Sequence, residues 1–172
     1  MEMRIVSPIA IDRAVSPSIA VLIPCFNEAA AIASVVADFR KALPEARIYV
    51  HDNNSSDGTA DIACDAGAIV THEPNQGKGN VVRRMFADID ADVYVMADGD
   101  ATYDAASAPA LVARLLSEQC DMIVGSRVSQ VQESYRRGHR FGNALLTGML
   151  ARLFGRSFTN ILSGYRVFSR RF

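Results

Sequence analysis

The amino-acid sequence predicts an α/β fold in which a mostly parallel, Rossmann-like central sheet carries helices on both faces. Two observations lead to this prediction. Short apolar runs alternate along the chain with stretches of helical periodicity, and strands connected through helices pair in parallel. Polar residues also follow most of the apolar runs, at the place where sheets of this kind bind their ligands.

The first strand and the first helix have clear boundaries in the sequence. Residues 19–23 form a continuous apolar run closed by Pro24, which is typical of a parallel strand buried on both faces. An alanine-rich stretch follows and ends at Leu43, directly before Pro44. We expect a helix there with Glu28 in its first turn, where the helix dipole favours a negative charge.

The same alternation continues through the middle of the chain. Further strands are predicted at residues 47–51, 68–71, 92–97 and 121–125. Helices are predicted from Asp57 to about Gly67, from about Asn80 to Asp88, and from Ser107 to Gln119, and a glycine-rich loop at residues 75–79 precedes the second of these. The strands follow from short apolar runs and the helices from longer periodic stretches.

The region after residue 126 differs in charge and in pattern. From Arg127 onward there are nine arginines and one acid, a net charge of +8, and because the whole chain carries −1 the first 126 residues carry −9. This stretch fits an anionic partner such as a membrane surface, a lipid phosphate or nucleic acid, or else a solvated arginine-rich face. An amphipathic helix is predicted at about residues 138–154, which either packs on the sheet or lies on an anionic bilayer.

Composition narrows the class of protein. The 172-residue length suits one domain, and a chain with 49% hydrophobic and 22% charged residues is typical of a soluble globular protein. Three scattered cysteines predict reduced thiols in the cytosol rather than a disulfide framework. Residues 1–13 lack the pattern of a signal peptide, and the apolar run at residues 141–151 is too short for a transmembrane helix.

Polar clusters follow four of the predicted strands, at residues 24–28, 52–54, 98–100 and 125–127. Because the carboxyl ends of parallel strands meet at one edge of a sheet, we expect these clusters to form one ligand site. No G-x-G-x-x-G follows the first strand, so a dinucleotide cofactor is not predicted. A P-loop is also excluded, because Gly79 stands where that motif needs Ser or Thr.

Asp98 and Asp100 are the main candidates for chemistry. Two carboxylates at a strand end suit a hard divalent cation, Mg²⁺ or Mn²⁺, that keeps positions open for phosphate oxygens. A turn that happens to contain two acids is the alternative explanation. Asp52 is expected to face a ligand, whereas Asp57 is expected to have a structural role at the start of a helix. Lys78 either reaches a phosphate or is a solvated surface lysine.

Six motifs occur in order between residue 19 and the end of the chain, and together they resemble those of the family 2 glycosyltransferases. They are Pro24-x-Phe-Asn27-Glu28, the segment at residues 52–59, Asn75-x-Gly77-Lys78-Gly79, Asp98-Gly-Asp100, Gly125-Ser-Arg127 and Ser163-Gly-Tyr-Arg166. The branch that they resemble most is that of the dolichol- and polyprenyl-phosphate sugar synthases. The resemblance implies a GT-A fold, a UDP- or GDP-sugar donor, a divalent metal, and a single displacement that inverts the anomeric carbon.

The resemblance also implies a role for each residue that matches a motif. The residues implied to hold the nucleotide-sugar are Pro24, Asn27, Glu28, Asp52 and Asn54. Those implied to lie near the phosphates or the metal are Lys78, Asp98, Asp100, Arg127 and Arg166. Among these, Asp98 and Asp100 are the predicted metal ligands. The predicted catalytic residues are Asp98, Asp100 and Arg127.

The family resemblance also implies how the chain is divided into domains and which acceptor it uses. Residues 1–18 are expected to be an N-terminal extension, and residues 19–172 a catalytic domain that is truncated at its C-terminus. Asn160 stands where the family often has an aspartate, and an asparagine cannot be the general base that a sugar hydroxyl needs. A lipid phosphate is largely ionised at pH 7, so it can attack without a general base to remove a proton. Asn160 is therefore less harmful to activity if the acceptor is a lipid phosphate, such as the polyprenyl phosphate that the resemblance implies at the cytoplasmic face of a membrane, than if it is a sugar hydroxyl.

Other functions are weighed against this one. A truncated, catalytically impaired nucleotide-sugar-binding domain would share the donor site and lack turnover. A nucleotidyltransferase also uses carboxylates and metal, but it usually opens with a glycine-rich loop after the first strand. RNA binding has only the basic stretch in its favour, without an aromatic-interleaved module, so we expect no nucleic-acid partner.

Overall fold

A six-stranded sheet forms the centre of the molecule in the computed structural model, which describes residues 16–125 and 163–172. The strands are β1 (Ile19–Cys25), β2 (Arg47–Asp52), β3 (Ile69–His72), β4 (Val93–Met96), β5 (Met122–Val124) and β6 (Arg166–Ser169). The helices are α1 (Ile32–Ala42), α2 (Thr59–Asp65), α3 (Lys78–Asp88) and α4 (Ala108–Ser117), and a 3₁₀ turn (Ala105–Ser107) precedes α4. The predicted α/β fold class is confirmed.

The strand order β3-β2-β1-β4-β6-β5 brings the polar segments to one edge of the sheet. Strands β1 to β4 are mutually parallel, and the register sets Cys25 opposite Asp52 and Asp52 opposite His72. Strand β6 runs antiparallel between β4 and β5, with Arg166 opposite Met96. The carboxyl ends of the parallel strands and the beginning of β6 therefore share one edge, named here the carboxyl edge.

Both faces of the sheet are covered, as the continuous apolar run of β1 predicts. Side chains alternate along a strand, so Val21 and Ile23 pack with α1 and α4 on one face while Ala20 and Leu22 pack on the other. On that second face, Val81 and Met85 of α3 complete the core. Full burial of a Val, Leu or Ile side chain contributes about 1.5–3 kcal/mol to the free energy of folding. Packing on both faces therefore stabilises β1.

The starts of helices α1 and α3 differ from the sequence prediction for identifiable reasons. Helix α1 starts at Ile32, and Glu28 precedes it in a turn whose carbonyl accepts hydrogen bonds from the amides of Ala31 and Ile32, both at 3.0 Å. The predicted acidic first turn of α1 is therefore wrong. Helix α3 starts at Lys78 rather than at residue 80, because Gly77 supplies the turn with a φ of 126°.

Strand β6 is not expected from the sequence, which indicates only a polar motif at residues 163–166. Its Val167 and Phe168 are fully buried, and the strand fills the gap between β4 and β5. The helix predicted at residues 138–154 lies outside the described residues. Among the helices that are described, none has both the length and the apolar character that crossing a bilayer requires.

Candidate active site

A cavity of about 330 Å³ opens at the carboxyl edge, between the loops that follow β1 and β4 and the beginning of α3. Pockets of a few hundred cubic ångströms are the usual size for small-molecule sites. Five of the residues selected from the sequence line it: Pro24, Glu28, Lys78, Asp98 and Asp100. The residues that follow β1 and β4 therefore converge on one cavity, as the sequence predicts, and Lys78 joins them from the start of α3.

The cavity is dominated by negative charge. Partial burial of Glu28 raises the pKa of its carboxyl above the ordinary value, and the nearby charges of Asp100, Asp98 and Asp57 raise it further. Lys78 supplies a positive charge through an ion pair between its ammonium and Oδ1 of Asp98. Three carboxylates facing one ammonium leave excess negative charge, which a divalent cation would neutralise.

Asp100 belongs to a turn as well as to the cavity wall. Its Oδ1 accepts hydrogen bonds from the amide of Thr102, at 3.0 Å, and from the hydroxyl of the same residue. Ala101 has a φ of 57°, in the left-handed region, which tightens the turn. The turn is confirmed for Asp100, and it places an exposed carboxylate at the cavity that Asp98 also lines. The metal site stays a prediction.

Lys78 is aimed at the cavity by a buried asparagine in the neighbouring loop. The side-chain oxygen of Asn53 accepts a hydrogen bond from the amide of Gly77 at 2.7 Å. The side-chain nitrogen of Asn53 donates to the carbonyls of Glu73, at 2.8 Å, and Asn75, at 3.0 Å. These three bonds fix the loop before α3, so that Lys78, the first residue of the helix, meets Asp98.

Asp52 has a buried acceptor oxygen without a partner in the described part of the chain. The residue is 4% exposed, and its Oδ2 accepts from the amide of Ser55 at 3.1 Å and lies 3.5 Å from Nδ1 of His72. Its Oδ1 is buried and has no hydrogen-bond partner among the described residues. An unsatisfied buried acceptor costs about 1–3 kcal/mol, so this oxygen is a source of strain at the carboxyl edge.

Asn27 and Asp57 connect the loops after β1 and β2. The backbone of Asn27 has a φ of 55°, and its side-chain oxygen accepts from the amide of Ser56 at 2.9 Å. The carboxylate of Asp57 accepts from the amides of Thr59, at 3.1 Å, and Ala29, at 3.0 Å, while the Thr59 hydroxyl holds the pKa of Asp57 below its ordinary value. Asp57 therefore has a structural role, although Gly58 rather than Asp57 is the residue that precedes α2.

The Ser163–Arg166 segment returns to the same edge through β6. The hydroxyl of Ser163 donates to the carbonyl of Gly125 at 2.6 Å, and the amide of Gly164 donates to the hydroxyl of Tyr103 at 2.7 Å. Arg166 is half-buried and donates from Nε to the Ser163 carbonyl at 3.0 Å. This antiparallel entry is what brings a motif from the end of the chain beside the acidic cavity.

Comparison with known proteins now adds to this geometry. The family profile described as Glycosyl transferase family 2 matches residues 20–172, nearly nine-tenths of the chain. The chain belongs to glycosyl transferase family 2. It is a glycosyltransferase domain with the GT-A fold, and the motifs that suggested the family are confirmed as a family resemblance.

This family 2 glycosyltransferase is similar in sequence to several named proteins. Protein RfbJ of Shigella flexneri is 58% identical over 124 residues, which cover 72% of this chain and 96% of RfbJ. Glycosyltransferase AglJ of Haloferax volcanii is 38% identical, covering 89% of this chain and 50% of AglJ. A dolichyl-phosphate hexose transferase of the same organism is 30% identical, and the match covers 88% of this chain and 66% of that transferase. The chain thus spans about half the length of AglJ.

A solved structure shares the fold of this glycosyltransferase. Glucosyl-3-phosphoglycerate synthase from Mycobacterium tuberculosis, in complex with Mn²⁺, UDP-glucose and phosphoglyceric acid, superimposes with a TM-score of 0.73 at 26% identity. The match covers 91% of this chain and 57% of the synthase chain. The Mn²⁺ ion and the UDP-glucose are bound to the synthase in that crystal structure.

The sequence-predicted residues of this glycosyltransferase fall into distinct groups. Asp52 and Arg166 lie at the carboxyl edge beside the five residues that line the cavity. Asn27 and Asn54 hold loops, since Asn54 donates to the carbonyl of Pro74 at 2.9 Å. Arg127 lies outside the described residues, so its predicted role stays a prediction.

Two residues of this glycosyltransferase site were missed at the level of sequence. Asn53, which orders the loop before Lys78, is not among the sequence-predicted residues, because the sequence carries no signal that separates the buried Asn53 from the exposed Asn54. Phe26 is 47% exposed and lines the cavity, and an aromatic residue left in solvent directly after a buried strand is the signal that could have identified it.

Proposed function

We propose that this chain is the catalytic core of a metal-dependent, inverting glycosyltransferase that moves a sugar from a UDP- or GDP-sugar to an acceptor. The observation that carries the proposal is the acidic cavity at the carboxyl edge, where Glu28, Asp98 and Asp100 face the single ammonium of Lys78. The synthase of the same fold that was crystallised with Mn²⁺ and UDP-glucose supports it. Membership of glycosyl transferase family 2 does not depend on the metal.

The residues of the cavity fit a hard divalent cation. Carboxylate oxygens are the ligands that Mg²⁺ and Mn²⁺ prefer. Burial raises the pKa of Glu28, and the negative charges of Asp100 and Asp98, which such an ion would offset, raise it further. No three His, Cys, Asp or Glu side chains of the described part of the chain group as a metal site, so Asp98 and Asp100 would hold the ion together with ligands from outside that set. When bound, the ion offsets charge on a diphosphate leaving group.

The nucleoside diphosphate would be held by groups around the cavity. Asp52 lies at the same edge and is proposed to face the nucleoside, and the exposed ring of Phe26, which lines the cavity, offers a surface for stacking. Lys78 and Arg166 lie at the same edge and carry the positive charge that phosphate oxygens attract. Arg127 is proposed to join them.

We further propose that the acceptor is a polyprenyl phosphate and that the protein works at the cytoplasmic face of a membrane. Three observations support this: the relative named a dolichyl-phosphate hexose transferase, the +8 charge after residue 126, and Asn160 in the place of a possible base. A phosphate acceptor is already ionised near pH 7, so asparagine at residue 160 is tolerated. Arginines near an anionic lipid surface each add about 1 kcal/mol of attraction.

The donor site is tested by calorimetric titration of the purified chain with UDP and with GDP, each with and without Mn²⁺. Binding of one nucleotide is expected to strengthen with metal, and Asp100→Ala is expected to remove the metal effect. Asp38→Ala, an exposed aspartate of α1, is the matched control and should behave like the wild type. If the folded chain binds neither nucleotide, the proposed donor site is wrong.

The acceptor is tested separately, with a radiolabelled sugar nucleotide of the base that calorimetry selects. Label is expected in the organic phase when polyprenyl phosphate in detergent is the acceptor. Label in a water-soluble product with phosphoglyceric acid would overturn the lipid acceptor while leaving the transferase intact. Nucleotide binding without any transfer would favour the alternative of a catalytically impaired nucleotide-sugar-binding domain.

A further inference from the structure

Tyr103 lies three residues after Asp100 and reaches back toward the other acidic residue of the pair. Its hydroxyl accepts a hydrogen bond from the amide of Gly164 at 2.7 Å. Gly164 in turn lies against the carboxylate of Asp98, so closely that a Cβ on Gly164 would overlap Oδ2 of Asp98. The same Cβ would lie 2.9 Å from the Tyr103 hydroxyl. The three groups therefore form one contiguous arrangement.

The carboxylate of Asp98 is consequently held from two sides. Lys78 pairs with Oδ1, and the backbone of Gly164 packs against Oδ2. The lysine side chain is 55% exposed and can move away, whereas Gly164 is fixed by the start of β6 and by its bond to Tyr103. The contact with Gly164, rather than the ion pair with Lys78, is therefore the one that fixes the position of the Asp98 carboxylate.

The ring of Tyr103 is itself held by the sheet. It packs on Tyr165 with ring centroids 5.3 Å apart, and Tyr165 is 4% exposed. The hydroxyl of Tyr165 points elsewhere, since it lies 3.5 Å from the hydroxyl of Ser107. The two tyrosines thus share one aromatic contact but use their hydroxyls for different partners.

We propose that Tyr103 is a positioning residue for Asp98, acting through the amide of Gly164. The inference deepens the proposed function, because it names a residue that prepares the metal-holding carboxylate without touching metal or donor. Without the hydroxyl, the amide of Gly164 loses its acceptor, the entry to β6 relaxes, and Oδ2 of Asp98 loses the surface that fixes it. The aromatic packing, which supports stability, stays in place.

Tyr103→Phe tests the proposal, with Tyr165→Phe as the matched control in the same aromatic pair. The first readout is UDP or GDP affinity with and without Mn²⁺. Tyr103→Phe is expected to weaken the metal-dependent affinity about threefold to tenfold, the range of one net hydrogen bond, and to leave the metal-free affinity unchanged. Tyr165→Phe is expected to leave both affinities unchanged.

The second readout needs neither metal nor nucleotide. The lysines of the chain are Lys41 and Lys78, so reductive ¹³C-methylation gives a separate NMR signal for each. Tyr103→Phe is expected to shift the signal of Lys78, because its partner Asp98 moves, and to leave that of Lys41 unchanged. Tyr165→Phe is expected to shift neither signal.

The outcomes separate the two ideas. An unchanged Lys78 signal, or an equal loss of affinity with and without metal, would overturn the positioning role and make Tyr103 a structural residue only. A wild-type chain without metal-dependent binding would overturn the proposed function, while the Lys78 signal would still decide whether Tyr103 sets the position of Asp98. A shifted Lys78 signal then supports the positioning role on its own.

Discussion

The sulfur of Cys25 occupies the space beside Gly99, the residue between the two acidic side chains of the cavity. A Cβ on Gly99 would lie 2.6 Å from Sγ of Cys25 and 3.5 Å from Cγ of Glu28. Cys25 is buried at the end of β1, and its thiol has a strongly raised pKa because burial disfavours the thiolate. The thiol is thus a packing group that keeps the β1 and β4 loops in close contact.

Gly99→Ala is expected to destabilise the protein by about 1–3 kcal/mol, the usual penalty for adding a methyl group to a closely packed site. In a Cys25→Ala background the same change is expected to cost much less, because the space taken by the sulfur is free. Urea unfolding of the four proteins of this double-mutant cycle measures the coupling. Gly79→Ala is the control, since a Cβ on Gly79 would meet nothing within 4 Å. Additive effects would mean that Cys25 and Gly99 do not share space.

The ion pair between Lys78 and Asp98 leads to a second prediction. A metal ion and an ammonium compete for the same oxygen, so Lys78→Met is expected to tighten Mn²⁺ binding to the nucleotide-free protein by about twofold to fivefold, the scale of an exposed ion pair. UDP or GDP binding without metal is expected to weaken, because a phosphate loses its cation. Manganese binding is measured by electron paramagnetic resonance and nucleotide binding by calorimetry.

Lys41→Met serves as the control for Lys78→Met, because Lys41 is an exposed residue of α1 and is absent from the acidic cavity. It should leave both affinities unchanged. Unaltered Mn²⁺ affinity in Lys78→Met would show that the lysine does not compete with the metal.

Part of the fold and of the site could be predicted because it depends on local pattern. The apolar run of β1 required burial on both faces, and the carboxyl ends of parallel strands share an edge wherever the sheet lies, which brought Asp98 and Asp100 to the cavity. Strand β6 could not be predicted, because four residues carry little periodicity and their position depends on pairing with β4 and β5. The late start of α1 likewise depends on bonds from Asn27 to the loop after β2.

The raised pKa of Glu28 gives a third prediction, about stability and pH. A carboxyl whose pKa is higher in the folded than in the unfolded state stabilises the fold only while it is protonated, and that stabilisation is lost as pH rises through the folded pKa. Glu28→Gln is therefore expected to be more stable than the wild type at pH 7, by about 1 kcal/mol at most. The difference should shrink toward pH 4, where the wild-type side chain is increasingly protonated.

Urea unfolding at pH 7, 5.5 and 4 measures this effect, with Glu45→Gln as the control because Glu45 is exposed and away from the cavity. Saturating Mn²⁺ should reduce the advantage of Glu28→Gln at pH 7, since a cation in the cavity offsets the repulsion from Asp98 and Asp100. A variant that is less stable than the wild type at pH 7 would contradict the repulsive environment.

His51 gives the last prediction. It is 1% exposed, and neither ring nitrogen has a hydrogen-bond partner among the described residues. Burial lowers its pKa, and Arg84 lowers it further, while Asp88 and Glu73 oppose the shift. The folded state therefore holds a neutral ring, and the unfolded chain takes up the proton first as pH falls below about 6.5, so stability is lost in that direction.

His51→Leu removes the unsatisfied nitrogens with little change in volume, so it is expected to stabilise the protein by about 1 kcal/mol at pH 7.5. The advantage should widen toward pH 5.5, because the wild type alone loses stability through this histidine. Urea unfolding at both pH values gives the two differences, with His72→Gln as the control for removing an exposed histidine at the same edge. A less stable His51→Leu with an unchanged pH dependence would mean that the His51 ring is hydrogen-bonded and that its burial does not contribute to acid sensitivity.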